Sequence, residues 1–132
     1  MKKSLFIAAI CTLFFTSCSQ KIVGTWNIDQ YEINDQKGQK AVLKNAGEIT
    51  LKKNGTGEKN VNYSIFSNNY SDIQPFKWKL EETNLTITGS NPKEESDFNK
   101  TWIIITNKSK KQVWKSTDGS TTVQVLELSK KK

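Results

Sequence analysis

The sequence predicts an all-β fold: an antiparallel up-and-down barrel of about eight strands over residues 22–132, preceded by a short export leader. Three observations carry this. Apolar residues recur at every second position through most of the chain after residue 21, which is the period of a strand with one buried face. Two such runs end in Asn54-Gly55 and Asp118-Gly119, the strongest short hairpin signals. No segment carries a helical period long enough to predict a helix. Strands joined in sequence order by mostly short turns form a meander, and a flat meander leaves two unpaired edges. Closing it into a barrel removes both. An open sandwich of the same strands is the structural alternative.

Taken in order, Ile22, Gly24, Trp26 and Ile28 alternate with Val23, Thr25, Asn27 and Asp29, and the strand continues through Tyr31 and Ile33 with its parity changed. A change of parity inside a strand predicts a bulge. "NDQKGQ" at 34–39 is turn chemistry, followed by an irregular stretch to Ala46. "GEITLKKNG" sets Ile49 and Leu51 among polar neighbours, and the return strand carries Val61, Tyr63 and Ile65. A polar loop, "SNNYSDIQP" (67–75), precedes "FKWKLEE", where Phe76, Trp78 and Leu80 face one way. "ETN" turns the chain into Leu85 and Ile87. A longer loop, "GSNPKEESDFN" (89–99), leads to "KTWIIIT", a turn around 108–110, "QVWKST", and a last strand "TTVQVLELS".

The first residues read as a targeting segment. Lys2 and Lys3 form a basic start, Leu5 to Phe15 an apolar core of 11 residues, and Thr16-Ser17 a small-residue approach to Cys18. Such a core is too short to cross a bilayer, which takes about 20 residues. The box Phe15-Thr16-Ser17-Cys18 resembles a bacterial lipoprotein signal, with Phe15 where Leu is usual. The resemblance implies cleavage before Cys18 and acylation of that residue by palmitate-like chains. Residues 1–17 are then the signal peptide, 18–21 a lipidated end and tether, and 22–132 the folded domain. Cys11 leaves with the signal, so the mature chain has no disulfide. Two or more acyl chains anchor stably, each buried CH₂ contributing about 0.8 kcal/mol. The expected location is the cell envelope, at the outer membrane of a Gram-negative bacterium, on the bilayer and not through it.

All 20 basic residues are lysine, and the chain has no arginine or histidine. Without residues 1–17 the balance is 18 lysines against 13 acids, a formal +5. Nucleic-acid binding calls for clustered cations, usually with Arg forks, and is not expected of lysines spread along every strand. Lys130-Lys131-Lys132 is the one run; it reads as a solvated end, or as a contact to anionic headgroups.

Gly24-Thr25-Trp26 resembles the G-x-W element that opens the first strand of lipocalin-like barrels, and "EITLKKNGTGE" with "FKWKLEETNLTIT" is similar to the middle of the small lipocalin-like domains of bacterial lipoproteins. The resemblance covers most of 22–128. It implies that Trp26 closes one end of the barrel, with Gly24 letting the chain turn in close beside it. The arginine that usually lies over this Trp is missing, so a lysine would have to take its place.

The resemblance also raises a ligand. The interior of eight strands offers roughly 28 inward positions. The mature chain has 32 Ile, Leu, Val, Phe, Tyr and Trp residues, enough to fill them all. Tyr63, Trp78, Trp102 and Trp114 are the candidates to line a pocket, and each reads equally as core, since aromatics bury large areas that a small domain needs.

No enzyme is expected. Without histidine there is no Ser-His-Asp triad, and acylation removes the thiol. No Cys or His set exists for zinc, the acids from Glu94 to Asp97 lack calcium-loop spacing, and "GTGEKN" is not a phosphate cradle. The paired acids Glu81-Glu82 and Glu94-Glu95 fall in turns and read as solvated. No catalytic, cofactor or metal residue is assigned. Two functions stand: a lipid-anchored monomer holding a small apolar or amphipathic ligand in the barrel, or a filled barrel acting as a protein-interaction or envelope-structural module. A tether of three residues, about 10 Å at full extension, holds either one close to the bilayer, with the open mouth toward water.

Overall fold

The computed structural model describes residues 21–35, 37–65, 67–91, 96–117 and 122–132, with Ile65 described by its backbone only. The expected leader, Cys18, Glu94-Glu95 and the Asp118-Gly119 turn lie outside these residues. Among the described residues there are eight strands: β1 (Gly24–Asn34), β2 (Lys40–Leu51), β3 (Thr56–Ile65), β4 (Asn68–Glu81), β5 (Asn84–Gly89), β6 (Thr101–Asn107), β7 (Lys111–Thr117) and β8 (Val123–Lys130). Each is antiparallel to the next, and β8 returns to pair with β1 from Trp26↔Lys130 to Asn34↔Val123. The ring is closed, which rules out the open sandwich. No described helix is long and apolar enough to cross a membrane.

The parity change in β1 is a bulge. Register with both neighbours shifts between Ile28 and Gln30, leaving Asp29 as the extra residue. Because of it Trp26, Ile28 and Tyr31 are all fully buried, although a regular strand would send Tyr31 outward. The apolar run of β6 alternates regularly, Trp102 and Ile104 buried while Ile103 and Ile105 are exposed, and a second register shift follows between Ile104 and Thr106. At Asn54-Gly55 the turn forms as its chemistry dictates, with Gly55 at φ +84° and the Asn54 side chain accepting from the Thr56 amide at 3.1 Å.

Two segments expected to be irregular are strands. Residues 40–46 belong to β2, where Leu43 and Ala41 pair with Tyr31 and Ile33. Asn45 at φ +53° and Gly47 at φ +137° distort that strand opposite the Asp29 bulge, and this masked its alternation. Gly47 is also a point of close approach, since a Cβ there would lie 2.1 Å from the Asn60 carbonyl oxygen. Residues 68–75 belong to β4, paired with β3 from Ile65↔Asn68 to Glu58↔Pro75. The inward positions of this stretch are polar, so it read as a loop.

The core runs through the barrel as one cluster: Trp26, Tyr31, Ile49, Leu51, Val61, Phe76, Leu85, Ile87, Phe98, Trp102, Trp114 and Leu128 are all essentially without exposure. Among the described residues, every strand and every core residue lies within 22–130, so the ring closes on those residues alone.

Candidate functional site

The meander sorts its connections between two ends. Residues 52–55, 82–83 and 108–110, with both described chain ends, lie at the Trp26 end; of the described residues, 35, 37–39, 67, 90–91 and 96–100 lie at the other, the mouth.

The Trp26 end is sealed. The Trp26 indole is fully buried and its Nε1 donates to the Ile22 carbonyl at 2.8 Å, drawing the incoming chain across the barrel base. Lys130 Nζ lies 4.7 Å from the centre of the Trp26 ring and donates to the Val23 carbonyl at 2.6 Å. A lysine thus takes the place over the indole. Gly24 leaves room for it: at φ +136° its Cβ would sit 2.1 Å from that same Nζ.

The mouth holds the one inward cation of β3. Lys59 shares the inward parity of Gly57, Val61 and Tyr63, and its side chain has no exposure. Its ammonium lies 3.2 Å from Asp72 Oδ2 and donates to Asn99 Oδ1 at 2.9 Å and to Ser96 Oγ. Ser96 in turn donates to Asp72 Oδ2 and accepts from the Phe98 amide at 3.1 Å. This hydroxyl donates its one proton to a carboxylate and accepts two hydrogen bonds, so it crosslinks β3, β4 and the 96–99 segment. The second Asp72 oxygen, Oδ1, is buried without a partner, which for a carboxylate is costly.

Around this network opens a cleft of about 480 Å³ lined by Tyr63, Tyr70, Ser71, Asp72, Ser96, Asp97 and Asn99. Tyr63 and Tyr70 stack face to face, centroids 5.1 Å apart and planes 18° apart, and Tyr31 meets Tyr63 edge-on at 5.6 Å. Tyr63 OH lies 3.4 Å from Asp97 Oδ2. Burial and then the Asp97 carboxylate push the Tyr63 phenol well above its ordinary value, and burial followed by Tyr63 does the same for Tyr31. Tyr31 OH accepts from Gln124 Nε2 at 2.7 Å. Phe98 closes the floor: its ring packs 5.1 Å from Tyr31 and 6.1 Å from Trp102, and its carbonyl accepts from Trp102 Nε1 at 3.0 Å.

Of the four aromatic candidates, Tyr63 lines the cleft. Trp102 and Trp114 are fully buried core residues, and Trp114 Nε1 donates to Gln112 Oε1 at 3.1 Å. Trp78 is half-buried near the other end, its Nε1 donating to the Lys52 and Thr56 carbonyls at 3.0 and 2.8 Å. Sequence reasoning missed Lys59, Asp72 and Phe98. The signal for Lys59 was its strand parity; for Phe98 it was an aromatic ring inside a polar loop. Glu81 and Glu82 are exposed, and Glu81 pairs with Lys79 at 2.6 Å.

No protein of curated function matches the sequence. Among solved structures, a lipocalin-like protein from Bacteroides uniformis superposes with a TM-score of 0.56 at 9% identity, over 84% of this chain and 99% of its own. An uncharacterised protein from Bacteroides eggerthii superposes with a TM-score of 0.54 at 13% identity, over 83% and 99%. At these identities the likeness is one of fold, the closed eight-stranded barrel. Residues 22–132 match the sequence pattern of the lipocalin-like domain, and the chain belongs to that family.

Proposed function

We propose that this is a lipid-anchored envelope protein that holds a small amphipathic ligand at the mouth of its barrel. The observation that carries this reading is the mouth cleft, where a stacked tyrosine pair faces carboxylates, one of them with a buried, unpartnered oxygen. Pockets of this kind bind through an apolar wall and a few placed polar groups. The Tyr63–Tyr70 face suits a flat or aliphatic portion. Asp97 and Asp72 Oδ1 suit a hydrogen-bond donor or an ammonium group, which aromatic faces also attract. The floor below is filled by Phe98, Tyr31 and Trp102, so the ligand sits at the rim and does not thread the barrel. Binding is the proposed role, with Ser96, Lys59 and Asp72 holding one wall of the cleft together. Cys18 supplies the anchor in this reading, and the leader ends at residue 17.

The test is extraction and mass spectrometry of the purified barrel lacking Cys18, with intrinsic fluorescence titrations against dodecylamine and dodecanoate. Dodecylamine is expected to bind better, and Tyr63→Ala to weaken it at least about tenfold, the loss of roughly 1.4 kcal/mol of aromatic contact. A barrel that yields no extracted molecule and binds neither amphiphile would favour the filled, partner-binding module, for which the packed tryptophan core is the supporting observation.

A further inference from the structure

The two ends of the barrel differ in charge. Among the described residues, the connections and chain ends at the Trp26 end carry Lys21, Lys52, Lys53, Lys108, Lys110, Lys131 and Lys132 against Glu82 alone. The corresponding segments at the mouth carry Asp35 and Asp97 against Lys37 and Lys100, and so balance. Two of the closed-end lysines are compensated, Lys52 by Glu58 at 3.3 Å and Lys131 by Glu48 at 2.6 Å. Among the described residues, Lys21, Lys53, Lys108, Lys110 and Lys132 form no ion pair. Four lysines, Lys110, Lys130, Lys131 and Lys132, also line a concavity of about 690 Å³ with Asn27 and Ser129, directly beside the start of β1.

We propose that the Trp26 end is a docking surface for the anionic phosphates of membrane lipid headgroups. The meander makes this possible, because every second hairpin and both ends of the ring reach one rim. Lysine suits the task as a strongly hydrated point charge on a long stem. It needs no fixed geometry to meet a fluid array of phosphates, and these five are spread around the rim and not gathered at one point. Distance decides whether the attraction acts. A three-residue tether holds the rim within about 10 Å of the bilayer, close to the screening length of about 8 Å at physiological salt. Lys130 does not contribute, since its ammonium is committed to Trp26 and the Val23 carbonyl. Its neighbours can reach outward because Lys130 braces the strand end beneath them. With this rim on the lipid, the mouth is presented to water.

The proposal rests on the anchored reading for the distance between this rim and the bilayer, and it is tested on the barrel without Cys18, so that failure of the one is distinguishable from failure of the other. The measurement is co-sedimentation with vesicles of phosphatidylcholine containing phosphatidylglycerol, compared with pure phosphatidylcholine. Binding is expected to the anionic vesicles alone, and to vanish near 1 M salt, where screening shortens to about 3 Å. Each of Lys53→Gln, Lys108→Gln, Lys110→Gln and Lys132→Gln is expected to weaken binding about fivefold, equivalent to the roughly 1 kcal/mol that a cation contributes at such a surface. Lys37→Gln, at the mouth, should have no effect. Absent binding, equal binding to neutral vesicles, or an equal loss from Lys37→Gln would overturn the docking surface. Acylation of the full chain, read as a mass increase on Cys18, is a separate measurement, and its failure would leave this result standing.

Discussion

Gly24 is held at φ +136°, a region that side chains rarely adopt, and an added methyl would collide with the Lys130 ammonium at 2.1 Å. Gly24→Ala is therefore expected to cost about 1–3 kcal/mol of backbone strain and to push the cation off the indole. Lys130→Met should cost a similar amount, about 1–3 kcal/mol, because the Val23 carbonyl loses its donor. If both act on one contact, the double variant should lose less than the two single losses together in urea denaturation. The buried pair at the mouth follows different arithmetic. Lys59→Met leaves the Asp72 carboxylate uncompensated in the interior and is expected to cost about 3–5 kcal/mol, whereas adding Asp72→Asn removes that charge and should restore most of it. Recovery in the double variant would separate a buried-charge penalty from simple loss of packing.

Among the elements, the 96–100 segment does most to shape the mouth. It inserts Phe98 between Tyr31 and Trp102, and it brings Ser96 and Asn99 onto Lys59, so a connection between β5 and β6 becomes the floor and one wall of the cleft. Phe98→Ala should destabilise the barrel by about 3–5 kcal/mol and deepen the cleft toward Trp102, a change readable as a lower thermal midpoint and greater quenching of tryptophan by acrylamide. Such a residue is hard to find in a sequence, because one aromatic ring among Ser, Asp and Asn gives no period. The strands were legible where their inward face is apolar, as in Phe76, Trp78 and Leu80 or Trp114 beside Leu126 and Leu128. They were illegible in Asn68–Pro75, where the inward residues are Tyr70, Asp72 and Gln74. There the period of two is present, but the property that alternates is not hydrophobicity, because that part of the wall faces the cleft. The same reason explains why the sequence pointed to buried tryptophans as pocket candidates while the cleft is built from Lys59, Asp72 and tyrosines.

On the scale of the whole molecule, closure of the ring makes each strand's stability depend on its neighbours, since opening any one seam restores two edges. Events that force the barrel open should therefore show cooperative loss of structure, and alkaline titration is such an event. The Tyr31 and Tyr63 phenols are raised above their ordinary values chiefly by burial, Tyr31 next by Tyr63 and Tyr63 next by Asp97. The folded state thus holds these protons more tightly than the unfolded chain, where a tyrosine ionises near pH 10. For a raised group the stabilising contribution is complete below the unfolded value and is lost as pH climbs from there toward the folded one. Stability should accordingly be indifferent to these two groups below about pH 9 and fall steeply above about pH 10. Absorbance of tyrosinate near 295 nm, followed together with far-ultraviolet circular dichroism, checks this. The signals of Tyr31 and Tyr63 should appear together with the loss of β-sheet, and Tyr63→Phe should move the transition to higher pH by removing one of the two linked protons. Smooth ionisation of both phenols in an intact barrel would mean that water reaches Tyr31 freely through the mouth, and the floor formed by Phe98 would then have to be open in solution.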